Sequence, residues 1–128
     1  LAVLKHYRTP EEVGWYAVMA EALRAALELG VIVEADFSGT DAALFARLRA
    51  ANAPDIQRWL ALLRRDVDFV RDPAHPDLFA LPKVRAVDPP VLLNGRAVPL
   101  SQLDAAFARH REAYIAGKQG EWPLRIVA

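Results

Sequence analysis

Three histidines are the residues best suited to acid–base or metal chemistry in this sequence: His6, His75 and His110. A catalytic metal ion normally needs three convergent histidine or carboxylate ligands. No two of these histidines have the spacing that puts a pair of ligands on one helical face. We therefore expect His6 near a helix terminus, a solvated His75, and His110 at the edge of the core, bonded to a backbone carbonyl.

Motifs for nucleophilic catalysis and for phosphate loops are missing. The sequence contains no cysteine, which excludes a thiolate site and a disulfide framework. Its two serines, Ser38 and Ser101, stand in cap or turn contexts, outside any strand-to-helix elbow. The glycines are isolated along the chain, which excludes nucleotide binding by the common glycine-rich loops.

One basic cluster precedes a predicted helix start. Lys5, His6, Tyr7 and Arg8 lie directly before Thr9. Free N–H groups at a helix N-terminus, together with the helix dipole, favour phosphate binding. The cluster is thus a candidate phosphate contact, and the alternative is solvated surface, where Lys and Arg usually lie.

The other basic and aromatic residues are expected to be structural. For Arg64, Arg65, Arg71, Lys83 and Arg85 we expect ordinary salt bridges, with Asp66, Asp68 and Asp88 as available partners. For Trp15, Trp59 and Trp122 we expect core packing rather than base stacking, because they stand among apolar positions.

Capping residues and apolar spacing predict three helices in the first half, separated by short loops. They cover residues 9–30, residues 40–52 and residues 54–67, with a β-prone run at 31–33 between the first two. In the second half we predict strands at 67–70 and 83–88, a surface loop at 72–82, a hairpin about Asn94 and Gly95, a helix from Ser101 to Gly117 and an edge strand at 124–127. Helices followed by strands indicate an α+β fold, with a mainly helical half, then a small antiparallel sheet and a further helix.

Composition fits a soluble domain. The chain has 128 residues, 54% hydrophobic and 25% charged, with a formal net charge of zero. A net charge of zero argues against non-specific binding to nucleic acid or anionic membranes. The apolar runs are too short for a membrane span. The chain begins with Leu1 and not Met, so we expect either a single domain over residues 1–128 or the C-terminal fragment of a longer cytoplasmic protein.

The second half also carries a resemblance. Residues 83–92 read Lys-Val-Arg-Ala-Val-Asp-Pro-Pro-Val-Leu, residues 94–96 read Asn-Gly-Arg, and residues 99–104 read Pro-Leu-Ser-Gln-Leu-Asp. This order resembles the C-terminal portion of HD-superfamily phosphohydrolases, in which a similar strand, glycine turn and Leu-Ser-x-Leu helix start follow the catalytic core. The upstream helices fit as well, so the resemblance extends over nearly the whole chain.

The resemblance implies hydrolysis of phosphate esters, often nucleotides, by one or two divalent metal ions held by a His, a His-Asp pair and a later Asp. Such ions act as Lewis acids and generate hydroxide from bound water. This sequence contains no His-Asp dipeptide, so the implied metal site lies before Leu1. The chain itself would then hold no catalytic residue, metal ligand or cofactor, and would contribute a pocket wall or a subunit interface.

By the same resemblance, Lys5, His6, Tyr7 and Arg8 would contact the substrate phosphates. The implied partners are the remainder of the same chain, a nucleotide or phosphate ester, and further copies in a homo-oligomer. Two alternatives remain open: a non-catalytic interaction or dimerisation module that uses the first helix, and a small anion-binding protein that uses Lys5 and Arg8.

Overall fold

The computed structural model describes residues 9–128 and has an α+β fold. The chain divides into two compact units: the described residues up to Ala80 together with Trp122–Ala128 form unit 1, and Leu81–Glu121 form unit 2. The helices are α1 (Pro10–Glu28), α2 (Asp41–Ala50), α3 (Pro54–Leu60), α4 (Leu100–Leu103) and α5 (Ala105–Lys118). The strands are β1 (Asp68–Arg71), β2 (Leu78–Ala80), β3 (Pro90–Leu93), β4 (Arg96–Pro99) and β5 (Trp122–Val127).

Helix α1 begins and ends where its sequence signals predict. The Thr9 hydroxyl accepts a hydrogen bond from the backbone N–H of Glu12 at 3.4 Å, and Pro10 takes the first helical position, where its missing N–H is not needed. Past the last turn, Gly30 adopts a φ of 69°, a backbone conformation that favours glycine. The predicted first helix is confirmed.

Helices α2 and α3 are joined by a side-chain clamp. The Thr40 hydroxyl caps the start of α2 by accepting from the Ala43 N–H at 3.3 Å. At its other end, the Gln57 amide of α3 donates to the carbonyls of Leu48 at 3.0 Å and Ala51 at 2.8 Å. The last carbonyls of a helix have no partner within the helix, so this amide supplies one.

Two predicted features of this half are wrong. The third helix ends at Leu60, not near Val67, because the chain turns there and enters β1. The β-prone run at 31–33 forms no strand: Ile32 is fully buried, and a short 3-10 helix (Glu34–Ser38) follows. Burial of one side chain, without a pairing strand beside it, accounts for the apolar pattern there.

The sheet of unit 1 is antiparallel with the strand order β1-β5-β2. Phe69 is paired with Ile126 across β1 and β5, and Leu78 with Leu124 across β2 and β5. Two predictions are corrected. Strand β5 is central and not an edge strand. The predicted surface loop at 72–82 contains β2, in which Leu78 and Ala80 point into the core. Prolines on both sides of β2 limit it to three residues, because proline cannot donate a hydrogen bond to a neighbouring strand.

The core of unit 1 consists of two clusters of buried residues. The first is Val13, Val18, Val67, Phe69, Leu78, Ala80, Trp122 and Leu124. The second is Ala26, Ile32, Leu44, Leu48 and Ile56. Helix α1 contributes to both clusters and therefore lies at the centre of the packing of unit 1. At Gly14 an added Cβ would overlap the ring of Phe69, so the glycine permits α1 to approach the sheet closely.

Unit 2 is a β-hairpin followed by two helices. Strands β3 and β4 are paired through a turn in which Asn94 and Gly95 have φ angles of 49° and 75°, as the predicted hairpin requires. The Asp104 carboxylate accepts from the Phe107 N–H at 3.0 Å and starts α5, which ends one residue past the predicted Gly117. The predicted strand at 83–88 is wrong, since those residues pair with none of the strands that the structure describes.

Candidate functional site

The sequence-predicted phosphate contacts Lys5, His6, Tyr7 and Arg8 lie outside the described residues. What the structure describes begins at Thr9, which caps α1. Within the part of the chain that is described, no helix combines the length and apolarity that crossing a membrane requires.

An open groove in unit 1 lies against helix α1. We call it the aromatic groove: its apolar lining is Trp15, Tyr16, Met19, Phe45 and Leu63, and its volume is about 540 Å³. Pockets for small molecules commonly enclose about 300–1,000 Å³, so the groove has the capacity of a binding site. Helix α1 supplies three of the apolar residues, and α2 supplies Phe45.

The groove also carries charges of both signs. Glu12 of α1 lines it, as do Arg64 and Arg65 from the turn after α3. The Arg64 Nε is 3.3 Å from an Asp66 carboxylate oxygen, whereas Arg65 makes no hydrogen bond or ion pair with another described residue. An apolar centre beside charged residues is the composition of protein interaction surfaces.

The tryptophans have different environments. Trp122 is buried in the core under the guanidinium of Arg71, whose carbon lies 4.4 Å from the ring centroid. Trp59 packs half-buried against the same cluster, so core packing is confirmed for these two. Trp15 is 39% exposed and lines the aromatic groove, and there the core assignment is wrong. Its helical spacing places Trp15 beside the apolar face of α1 but does not reveal that it stays partly exposed among the described residues.

A polar cluster in unit 2 connects two of the sequence segments that resemble HD-superfamily phosphohydrolases, residues 83–92 and 99–104. Asp88 precedes β3, and Ser101 lies in the short helix α4. The Asp88 carboxylate accepts from the Ser101 hydroxyl at 2.5 Å and from the Ser101 N–H at 3.0 Å. The Ser101 hydroxyl bond, then the N–H bond, and to a smaller degree the charge of Arg111 hold the pKa of Asp88 below its ordinary value.

This cluster is structural and differs from the sequence prediction. Asp88 bonds to Ser101 and not to the expected Lys83 or Arg85, and neither of those cations forms an ion pair with another described residue. A signal was available in the sequence: the N–H groups in the first turn of a helix need acceptors, and Asp88 is the acidic residue that precedes the hairpin leading to Ser101. Ser101 donates its hydroxyl proton to the Asp88 carboxylate, a contact that fixes the start of α4.

The described histidines are exposed. The side chain of His75 is 82% exposed, with its Nδ1 4.0 Å from Asp72, which confirms the solvated assignment. His110 lies exposed on α5, so its placement at the core edge is wrong. In the described residues no three His, Asp or Glu side chains come together to hold a metal ion, and these residues therefore do not fit the divalent ion that the resemblance implies.

A second carboxylate, Asp72, organises the loop after β1. It accepts from the backbone N–H groups of Ala74 and His75, both at 3.1 Å, and from the Arg125 Nε at 2.8 Å. The Arg125 hydrogen bond, followed by the His75 N–H, lowers the pKa of Asp72. These contacts join the loop to β5, which makes Asp72 a structural residue.

Comparison with known proteins gives one distant relative. The uncharacterized protein YdhJ of Bacillus subtilis (strain 168) is 27% identical over 119 residues, which cover 92% of this chain and 37% of YdhJ. The chain therefore spans little more than a third of the length of the curated relative that it matches. No family model matches the chain. No solved structure matches it either.

Proposed function

We propose that this chain is the C-terminal segment of a cytoplasmic, metal-dependent phosphohydrolase of the HD superfamily, acting on phosphate esters or nucleotides. Within that protein it contributes a wall of the substrate pocket or a subunit interface. The match to about a third of a longer protein is compatible with a segment of this kind.

The contact between Asp88 and Ser101 carries the proposal. The resemblance depends on a Val-Asp-Pro segment and on a Leu-Ser-x-Leu segment, and the interacting residues come from these two segments, 13 positions apart. A hydrogen-bonded pair at that separation gives a physical reason for both segments to occur together. It favours reading them as one structural unit and not as two chance similarities.

In this proposal the metal ion is held by residues outside the sequence. The chain lacks the His-Asp pair, and its described residues offer no set of metal ligands. The ion would supply Lewis-acid activation and a metal-bound hydroxide. The role left to this chain is to bind and orient substrate, with Lys5, His6, Tyr7 and Arg8 as the phosphate contacts.

The first test is to read the gene upstream of Leu1 and to express the complete encoded protein. We expect a His and a His-Asp pair in that region, and phosphate release from a nucleoside triphosphate or p-nitrophenyl phosphate in the presence of Mn²⁺. The chain of 128 residues alone should be inactive. Absence of a His-Asp pair, or phosphate release by the isolated chain with bound metal, would contradict the proposal.

A second test addresses the phosphate contacts. The double variant Lys5→Ala, Arg8→Ala of the complete protein should raise KM roughly tenfold or more, because hydrogen bonds between charged groups are strong, with a smaller effect on kcat. Arg109→Ala is the control, since Arg109 is an exposed arginine on α5. Equal kinetics for the double variant and the control would show that the cluster does not contact substrate.

The alternative is a non-catalytic interaction or dimerisation module. The observation that favours it is the exposure of large apolar residues on and just after α1, namely Trp15, Tyr16, Leu27 and Leu29. This alternative predicts self-association without affinity for phosphate. Calorimetry of the complete protein with inorganic phosphate and a nucleotide distinguishes the two, because only a hydrolase segment should bind them.

A further inference from the structure

The aromatic groove leaves large aromatic side chains uncovered by the rest of the described chain. Tyr16 is 73% exposed and Trp15 is 39% exposed, although both are large side chains. Tyr and Trp are enriched at protein interfaces, where they contribute a large share of the binding energy. Their joint exposure beside Phe45 is therefore the composition that protein interfaces favour.

The charges in the groove indicate what kind of partner fits. A groove with charges of one sign would suit a ligand of the opposite sign. This groove combines the carboxylate of Glu12 with the guanidinium groups of Arg64 and Arg65 around an apolar centre. In a two-fold dimer the same patch occurs on both copies and must complement itself. Charges of both signs, supplied by different elements of unit 1, meet that condition.

Arg65 is the cation best placed for such a contact. Arg64 is already paired with Asp66, whereas Arg65 makes no ion pair or hydrogen bond with another described residue. On the acidic side, a carboxylate such as Glu12 has about four lone-pair sites, so it accepts a partner in addition to any bond within its own chain. Complementary charges of this kind fix the register of an interface.

We propose that the aromatic grooves of two copies of this chain pack together in a two-fold dimer, with Glu12 of each copy facing Arg65 of the other. Trp15, Tyr16 and Phe45 of both copies form the apolar centre. The proposal specifies the subunit-interface role and in that sense rests on the proposed function. Its test is separate, since it measures association and not hydrolysis.

The test is sedimentation equilibrium of the chain of 128 residues and of two charge-reversal variants, Glu12→Arg and Arg65→Glu. We expect the unsubstituted chain to dimerise in a concentration-dependent way up to about 1 mM. Each variant alone should associate at least about tenfold more weakly, because like charges then face each other at both ends of the interface. An equimolar mixture should restore dimerisation, since both charge pairs are opposite again in the mixed dimer.

The mixture separates a lost interface from a lost fold, because a misfolded variant is not rescued by its partner. Arg109→Glu, a charge reversal on α5, is the control and should dimerise like the unsubstituted chain. Circular dichroism checks that both variants are folded. A monomeric unsubstituted chain at about 1 mM, unimpaired variants, or no rescue between folded variants would each overturn the proposal.

The two proposals fail in different ways. If the complete protein hydrolyses no phosphate ester while the mixture restores the dimer, the hydrolase proposal fails and the interface stands. If hydrolysis is found and the charge reversals leave association unchanged, the interface fails and the hydrolase proposal stands.

Discussion

Unit 1 and unit 2 are stabilised in different ways. All the buried hydrophobic residues of the described chain belong to unit 1, and all of them except Ala22 lie in the two clusters about α1. In unit 2 no residue is fully buried, and Leu92 is 77% exposed. What holds unit 2 together is local: the hairpin turn at Asn94 and Gly95, and the bonds between Asp88 and Ser101.

This difference predicts in which unit a substitution lowers the free energy of unfolding most. Burial of apolar surface is the main favourable term in folding, so substitutions in unit 1 should alter global stability. Local hydrogen bonds contribute less each, and their loss should affect unit 2 alone. Opening of unit 2 without unfolding of unit 1 is then expected, because cooperative units differ in stability.

The largest expected effect is that of Phe69→Ala in unit 1. Phe69 is fully buried and packs against Gly14, so its removal leaves a cavity and should cost about 3–5 kcal/mol in the free energy of unfolding. Leu92→Ala in unit 2 is the matched control and should stay within about 0.5 kcal/mol. Urea denaturation followed by circular dichroism measures both, and similar costs for the two would remove the distinction between the units.

Gly14→Ala should destabilise unit 1 by about 1–3 kcal/mol, because the added methyl group overlaps the Phe69 ring. The control is Gly117→Ala in α5, where a Cβ meets no other atom. There the higher helix propensity of alanine should stabilise by about 0.5–1 kcal/mol. In thermal denaturation we expect Gly14→Ala to lower the melting temperature and Gly117→Ala to raise it. A stabilising Gly14→Ala would mean that α1 does not approach the sheet so closely.

The sequence predicted the elements whose signals are local. Thr9 and Pro10 mark the start of α1, and Asn94 with Gly95 marks the hairpin, because caps and turns depend on a few adjacent residues. The central position of β5 and the existence of β2 were not predicted. Both depend on pairing between residues far apart in the chain, such as Leu78 with Leu124.

In the candidate site, too, local features were predictable from the sequence and contacts between distant residues were not. The basic cluster at 5–8 could be named from its residue types, whereas the aromatic groove could not. That groove combines Trp15 of α1 with Phe45 of α2 and Arg65 of the following turn, and only the packing of these elements brings them together. The bond between Asp88 and Ser101 was missed because the sequence offered nearer cations as partners for the carboxylate.

Ser101→Ala should loosen unit 2 and leave unit 1 unchanged. The substitution removes the hydroxyl that donates to Asp88 but keeps the backbone N–H bond. Amide hydrogen exchange in β3 and β4 should become faster, roughly tenfold at most, while amides of β1 and β5 keep their rates. The control is Ser38→Ala, at an exposed serine in the 3-10 helix of unit 1. Faster exchange throughout unit 1 as well would mean that the two units open together.

The smallest expected effect is a separate response of each unit to acid. Asp72 in unit 1 and Asp88 in unit 2 both have a pKa below the ordinary 3.8. A lowered pKa in the folded state stabilises that state above the unfolded value, and the contribution is lost as the pH falls through the folded pKa. Stability from these carboxylates is therefore present above about pH 4 and declines below it.

Asp72→Asn and Asp88→Asn assign this response to the units. Each substitution removes the titrating charge while retaining an oxygen that accepts hydrogen bonds. In an NMR titration from neutral to acidic pH, Asp72→Asn should flatten the acid-induced changes at the amides of Ala74 and His75, whose N–H groups bond to that carboxylate. Asp88→Asn should flatten those at Ser101. If either substitution altered both sets of amides, protonation in one unit would affect the hydrogen bonds of the other. The core-stabilised unit 1 and the locally bonded unit 2 would then not be independent of each other.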